Sequence, residues 1–366
     1  MNTTEERNIK VKQILETLYA RATDKDYFVD ESEYGSLLNT LFTTTAWGFR
    51  EILLVVLVGM KLNPAYKASI GLYNCNPRAI YEGPIKEFLI ENNIPHRKSG
   101  PLNVAKATVG LDMTWAKQRR PFNVAKAVVD LVDYVEETTT SEDRVTMVGV
   151  SLLRGLIASA NSLIELAIKI EPLEDPDYIY KLCKELVTKA PDSGNTPQRI
   201  VALLLKNYHN FFHTGIDITG GEDRASVTST TSKKPGDINE ECGGKIYKVY
   251  EVTVKHFDIA RIRDSFDSIS IYNEQQEKTI NEVIVICRKE DCPNDMIVSG
   301  LSGYLGKYIY QNVIYYFWDI YEWIANILQR MTFDGRRAFY LALNSYINEV
   351  NTAVAVKKLW NQLHCQ

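Results

Sequence analysis

The segment from residue 197 to residue 288 constrains the fold of this chain most, because its strand patterns are concentrated there. Thr196-Pro197 has the N-cap and Pro-at-N1 signature of a helix start. From that point the pattern predicts a helix, three strands, a helix and a strand, at 197–212, 225–230, 236–239, 246–255, 258–269 and 282–287. The strand at 246–255 is the clearest, since a Gly243-Gly244 turn precedes a run rich in β-branched and aromatic residues.

The remainder of the chain has helical spacing of its apolar residues, which predicts a mixed α+β fold. A chain of 366 residues is too long for one ordinary core. We therefore predict four parts: a mainly helical region, a helical connection, the αβββαβ core and C-terminal helices, at 1–140, 141–196, 197–300 and 301–366.

Two apolar stretches, 52–60 and 308–328, are predicted to be buried helices rather than membrane spans. The first is far shorter than the roughly 20 residues that a span needs. The second carries Asp319 and Glu322 near its middle. The chain opens without an apolar signal segment, and its six cysteines include only one close pair, Cys287 and Cys292. Reduced thiols and a cytoplasmic location are therefore expected, with no membrane partner.

Acidic residues that could carry chemistry lie around the clearest strand. Residues 251, 253 and 255 share one face of a regular strand, so Glu251, Thr253 and Lys255 are expected to point the same way. Asp237 precedes the hairpin whose return strand carries Glu251, and the hairpin can bring the two carboxylates together. Magnesium takes oxygen ligands and keeps several waters, so this pair is predicted to hold Mg²⁺ beside a substrate phosphate. A neighbouring lysine could orient the attacking water.

This arrangement resembles the PD-(D/E)xK nuclease superfamily over about residues 197–288. The resemblance rests on Pro235-Gly236-Asp237-Ile238, on Glu251-Val252-Thr253-Val254-Lys255 and on the αβββαβ order. It maps the first acid to Asp237 and the lysine to Lys255. The family usually has an acid two residues before the lysine, where this chain has Thr253. Either Glu251 supplies the second acid from one pleat away, or Glu251 is the acid and Thr253 replaces the lysine.

The resemblance implies a restriction-endonuclease-like core between large helical parts and, for the whole chain, a type II restriction endonuclease. Such an enzyme cuts double-stranded DNA with Mg²⁺ and works beside a DNA methyltransferase. Cutting both strands in one encounter needs two active sites, which favours a homodimer. The alternative is a non-catalytic DNA-binding or defence-complex subunit with a degenerate nuclease core, and the Thr253 departure favours it.

Basic residues cluster in the first part of the chain, although the formal net charge is −4. Arginine, lysine, asparagine and glutamine side chains reach phosphates and base edges, so a local cluster predicts DNA contact in region 1–140. The alternative is an ordinary solvated surface. The predicted DNA-binding residues are Arg97, Lys98, Lys106, Lys117, Arg119, Arg120 and Lys126, with Lys233 and Lys234 beside Asp237. His96, Asn103, Trp115, Gln118 and Asn123 accompany the first group.

Overall fold

A computed structural model describes residues 4–97, 103–106, 108–137, 141–222, 234–276 and 279–364, with the backbone alone for 141 and 142. The chain forms two compact units, residues 1–165 and 166–366. The predicted connection, 141–196, is therefore not a separate part. Its first helix belongs to the first unit, where the hydroxyl groups of Tyr34 and Ser151 lie 3.0 Å apart in a buried hydrogen bond.

Among its described residues the first unit contains helices and connecting loops and no strand. Its longer helices are α1 to α5, at Thr4–Thr23, Gly35–Phe42, Gly48–Leu62, Phe122–Glu136 and Ser141–Ile164. Shorter helical segments lie at Ala68–Gly71, Leu72–Cys75, Pro77–Ile80, Tyr81–Ile85, Lys86–Glu91 and Met113–Lys117. Helix α3 is buried all round from Gly48 to Met60, so the prediction of a buried helix over 52–60 is confirmed.

One described helix is long and apolar enough to cross a membrane by length and composition, at Asp143–Ile164. Half of its most apolar window is buried inside the protein. The core helix of a soluble protein passes the same test, and this helix packs on α1 and α3 within the first unit. Packing in the core of the first unit therefore accounts for the apolar composition of this helix.

The second unit is built on a seven-stranded sheet with the order β1-β2-β3-β4-β7-β6-β5. The strands span Asp217–Thr219, Ile238–Cys242, Lys245–Thr253, Glu282–Cys287, Ile297–Val298, Tyr304–Tyr310 and Val313–Asp319. The helices α6 to α11 span Pro176–Lys189, Asn195–Phe211, Ile259–Gln275, Ile320–Arg330, Phe333–Asn348 and Val354–His364, with 3₁₀ turns at Asp192–Gly194 and Lys289–Asp291. Strand β4 is parallel to both of its neighbours, β3 and β7, and the outer pairs are antiparallel.

Each face of the sheet carries its own apolar core. Tyr250 and Val252 of β3 face one core, to which α6, α7, α9, α10 and α11 contribute. Val249, two residues before Glu251, faces the other core, which contains Ile262 and Ile269 of α8. Because side chains alternate along a strand, Glu251 and Thr253 lie on the face that α8 covers.

The predicted helices at 197–212 and 258–269 correspond to α7 and α8, and the predicted strands at 236–239, 246–255 and 282–287 correspond to β2, β3 and β4. The first predicted strand, 225–230, lies outside the described residues. Strand β1, at Asp217–Thr219, was not predicted, and the described order is α7-β1-β2-β3-α8-β4. The turn at Gly243 and Gly244 is confirmed, with φ values of 56° and 77° that favour glycine in a two-residue hairpin loop.

The prediction of C-terminal helices is wrong for residues 304–319, which form the hairpin β6-β7. In β7 the buried residues are Val313, Tyr315 and Phe317, so the burial period is two. Aromatic residues occupy both faces of this stretch, which hid the alternation. The hairpin turns at Gln311, which has a φ of 53°, without the glycine that usually marks such a turn.

Candidate active site

Asp237 and Glu251 lie opposite each other at the start of the β2-β3 hairpin. Ile238 pairs with Tyr250, which brings the preceding residue Asp237 next to Glu251. The backbone N–H of Val252 donates to Asp237 Oδ2 at 3.0 Å, and the two carboxyl groups are close enough for each to alter the pKa of the other. The prediction that the hairpin joins these two carboxyl groups is confirmed.

The backbone before Asp237 is held by close packing. A side chain at Gly236 would collide with Val249, and one at Gly220, whose φ is 93°, would collide with the carbonyl oxygen of Asp237. The buried Gln198 donates from Nε2 to that same carbonyl oxygen at 3.4 Å. Glycine at both positions therefore lets β1 and β3 approach the Asp237 backbone closely.

Burial raises the pKa of both carboxyl groups. It raises the pKa of Glu251 well above the ordinary 4.5, and the adjacent charge of Asp237 raises that pKa further. Burial also raises the pKa of Asp237, against the lowering effects of the Val252 N–H and of Arg261. Ser265 Oγ donates to Glu251 Oε1 at 2.9 Å. Glu251 is 8% exposed and Asp237 is half-buried, so solvent reaches the pair from the Asp237 side.

Arg261, which the sequence analysis missed, supplies the positive charge at this pair. Its charge lowers the pKa of both Asp237 and Glu251, and its Nη1 donates to Thr253 Oγ1. Arg261 lies in the first turn of α8, where Asp258 Oδ1 accepts from its backbone N–H at 3.0 Å. Arg261 and Ser265 are four residues apart on a helix that begins soon after β3, which puts both on one face. That spacing was the available signal.

Lys255 lies beyond the end of β3, so the expectation that it shares the strand face of Glu251 is wrong. The strand ends at Thr253, whose Oγ1 accepts from the Lys255 N–H at 3.0 Å and donates to the Lys255 carbonyl at 2.9 Å. This local turn ends the strand, so the alternation of side chains along β3 does not continue to Lys255. Lys255 is exposed, and among the described residues no ion pair joins its ammonium group to either carboxylate. Of Thr253 and Lys255, only Thr253 lies within β3, on the face that carries Glu251.

The carboxyl pair fits magnesium better than it fits a metal held entirely by protein. Within the described ranges no group of three or more His, Cys, Asp or Glu residues could hold an ion. Magnesium is commonly bound through one or two carboxylates together with waters and substrate phosphates. Asp237 and Glu251 offer that donor set once both are ionised.

The pair predicts an unusual dependence of stability on pH. Because the folded pKa of Glu251 is raised, the folded state holds the proton more tightly than the unfolded chain does. Its stabilising contribution is present in full below about pH 4.5 and is lost as the pH rises through the folded pKa. Without Mg²⁺, Glu251→Gln is therefore expected to be more stable than the wild type at pH 8, by on the order of 1 kcal/mol or more. Urea unfolding at pH 4 and pH 8 measures this, and an equal difference at both values would contradict it.

Some of the predicted DNA-binding residues form an exposed group, and several others make contacts within the protein. Lys106, Lys117 and Arg120 are exposed, and Arg119 Nη2 donates to the Lys106 carbonyl oxygen at 3.0 Å, which links the two segments. His96, half-buried, and the exposed Asn103, Gln118 and Asn123 lie on the same unit. Lys98 and Lys233 lie outside the described residues, and Lys234, which is half-buried, precedes Asp237 by three residues.

Three members of the set have structural contacts. Trp115 is 2% exposed and donates from Nε1 to the Val104 carbonyl oxygen at 2.8 Å, so its expected place beside DNA is corrected to a core position. Lys126 is ion paired with Asp130 at 2.6 Å. Arg97 is half-buried, and its backbone N–H donates to Glu51 Oε1 at 2.7 Å.

The second unit is thus a mixed α+β domain with a buried carboxyl pair, a guanidinium group and a hydroxyl at the end of one hairpin. Comparison of the sequence with protein-family models and with curated proteins gave no match.

Proposed function

We propose that this protein is a Mg²⁺-dependent, sequence-specific endonuclease for double-stranded DNA, of the type II restriction class. The proposal is supported by a carboxyl pair on the α8 face of a sheet with the αβββαβ order of restriction-endonuclease-like cores. The observation that carries it is the contact between Asp237 and Glu251 across the hairpin. Burial and the neighbouring Asp237 raise the pKa of Glu251, and pKa values perturbed in this way are enriched among functional residues.

In the proposed mechanism Asp237 and Glu251, once ionised, would hold Mg²⁺ through their carboxylate oxygens. The ion would supply Lewis-acid polarisation of the scissile phosphate and activation of the attacking water. Arg261 offsets the negative charge that develops on the phosphate, as preorganised donors do. Thr253 fixes the guanidinium through its hydroxyl. The role first predicted for Lys255, orienting the attacking water, passes to Arg261 in this proposal.

The surrounding assembly follows from the same proposal. The exposed basic group around Lys117 contacts DNA phosphates, and a homodimer presents two sites to a twofold-symmetric sequence. A DNA methyltransferase protects the host sequence, and the protein works in the cytoplasm. The test of dimerisation is sedimentation of the free protein and of its complex with a short duplex.

The basic group gives a prediction of its own. The double variant Lys106→Ala, Lys117→Ala is expected to weaken DNA binding at all sequences and to reduce the slope of log K against log salt by about 2. Each lysine is exposed, so stability should be unchanged. Fluorescence anisotropy across a range of salt concentrations measures the slope. The matched control is Lys12→Ala, Lys25→Ala in the same unit, and an equal loss in the control would point to charge in general.

The second candidate function is a DNA-binding subunit with an inactive nuclease core. Thr253 favours it, since β3 carries threonine, and not lysine, on the face of Glu251. Digestion of a defined plasmid with Mg²⁺, followed by sequencing of the ends, separates the two functions. Discrete fragments with common ends support the restriction endonuclease. Intact plasmid under conditions in which the protein binds the duplex supports the inactive subunit.

A further inference from the structure

Two cysteines lie close together at the end of β4. Cys287 is the last residue of that strand and is fully buried, and Cys292, 9% exposed, follows a short 3₁₀ turn. Their sulfur atoms are 3.7 Å apart. A disulfide bond is about 2.05 Å long, so closure brings the sulfurs together by about 1.7 Å. The other described cysteines, Cys75, Cys183 and Cys242, are free thiols.

The residues between the two cysteines hold the connection from β3 to α8. Arg288 Nη2 donates to the Val254 carbonyl oxygen at 2.8 Å, and the Phe257 N–H donates to the Asp291 carbonyl oxygen at 2.7 Å. Arg288 and Asp291 are themselves ion paired at 2.6 Å. The segment 288–292 therefore fixes the path of residues 254–257.

That connection sets the position of the cationic side chain at the carboxyl pair. Cys287 is the strand partner of Thr253 in the parallel register of β3 and β4. Thr253 accepts from Arg261, which lies in the first turn of α8, four residues after Phe257. A shift of Asp291 or Arg288 is therefore passed to the first turn of α8 and to the guanidinium.

We propose that Cys287 and Cys292 form a reversible thiol switch that regulates the Asp237–Glu251 site, an inference that rests on the proposed nuclease function. Closing the disulfide draws Cys292 toward β4, strains the contacts of Arg288 and Asp291 with the connection, and displaces Arg261 from Thr253. The reduced form is the active one, because it keeps the guanidinium beside the carboxyl pair. Reduction of the bond restores the contacts.

The oxidant is hydrogen peroxide or another hydroperoxide. Cys292 reacts first, since it is the more exposed of the two and its hydrogen bond with Cys287 lowers its pKa. Its thiolate attacks a peroxide oxygen, the O–O bond breaks, and the leaving hydroxide takes a proton to give water and a sulfenic acid. The Cys287 thiol then attacks that sulfur, the S–O bond breaks, and the leaving hydroxide takes the thiol proton and departs as a second water. Two thiols lose two electrons in total and the peroxide gains them.

The test treats the full chain with hydrogen peroxide, blocks the remaining thiols and identifies the cross-linked peptide by mass spectrometry. We expect a 287–292 disulfide, a fall in Mg²⁺-dependent cleavage of between about tenfold and a hundredfold, and recovery with dithiothreitol. Cys292→Ala and Cys287→Ala should cleave at the untreated rate and resist the peroxide. Cys183→Ala and Cys242→Ala are the matched controls and should respond as the wild type does.

Hydrogen exchange of the amides of residues 254–261 separates failure of the switch from failure of the nuclease proposal. Faster exchange in the oxidised wild type, with none in Cys292→Ala, supports the switch even in a protein that cuts no DNA. Absence of the disulfide, or a disulfide with neither faster exchange nor slower cleavage, overturns it.

Discussion

Glu251→Gln is expected to reduce Mg²⁺-dependent DNA cleavage by on the order of a thousandfold, because it removes one of two carboxylates that hold the ion. The amide keeps the size of the side chain and can still accept from Ser265, which bonds Glu251 Oε1 in the wild type. The loss should therefore appear in the maximal rate and in Mg²⁺ affinity, not in folding. Single-turnover cleavage and calorimetric titration with Mg²⁺ measure the two effects.

The matched control is Glu240→Gln, because Glu240 is equally buried at 8% but lies on the other face of the sheet. There it pairs with Tyr250 and with His209. This variant is expected to cleave DNA at the wild-type rate once its melting temperature shows that it is folded. If Glu251→Gln retains cleavage within tenfold of the wild type, the carboxyl pair is not the catalytic site.

The hairpin could be predicted from the sequence because two independent local signals agreed. The glycines at 243 and 244 fix the turn, and the run that follows them has strong strand propensity. The turn alone would place Asp237 opposite Tyr250. The β-bulge between Glu240 and Glu241 shifts the register by one residue and places Asp237 opposite Glu251, and no local pattern predicted that bulge. The position of Lys255 could not be predicted in this way, since the end of β3 depends on the Thr253 hydroxyl folding back on its own backbone.

The remaining errors came from contacts that are distant in sequence. Arg261 reaches the site because α8 covers the sheet face that carries Glu251. Its spacing from Ser265 puts both on one face of the helix, but that local pattern does not say which strand the face will cover. The β6-β7 hairpin was hidden because its aromatic residues fit a helical period as well as a strand period. Its true period is set by burial against α8, where Phe266 packs on Tyr310 with ring centroids 5.3 Å apart.

Arg261→Ala is expected to lower the cleavage rate by about a hundredfold, as loss of a preorganised positive group does. Loss of the charge also raises the pKa of both carboxyl groups, since Arg261 lowers both in the wild type. Mg²⁺ binds the ionised carboxylates, so cleavage is expected to rise with pH as the pair ionises. In Arg261→Ala this rising limb should therefore move to higher pH, and Arg261→Lys should return it toward the wild-type position.

The pH profile separates an electrostatic role for Arg261 from a purely structural one. A structural role predicts a lower rate at every pH with the limb unmoved, and no rescue by lysine, because the ammonium group cannot reproduce the geometry of the planar guanidinium. Arg263→Ala supplies the matched control, since Arg263 carries the same charge two residues further along α8 and is exposed. An equal displacement of the limb in that control would show that the charge acts through the general field of the domain. If only Arg261→Ala moves the limb to higher pH, then Arg261 on α8 supplies the positive charge that Lys255 was expected to supply.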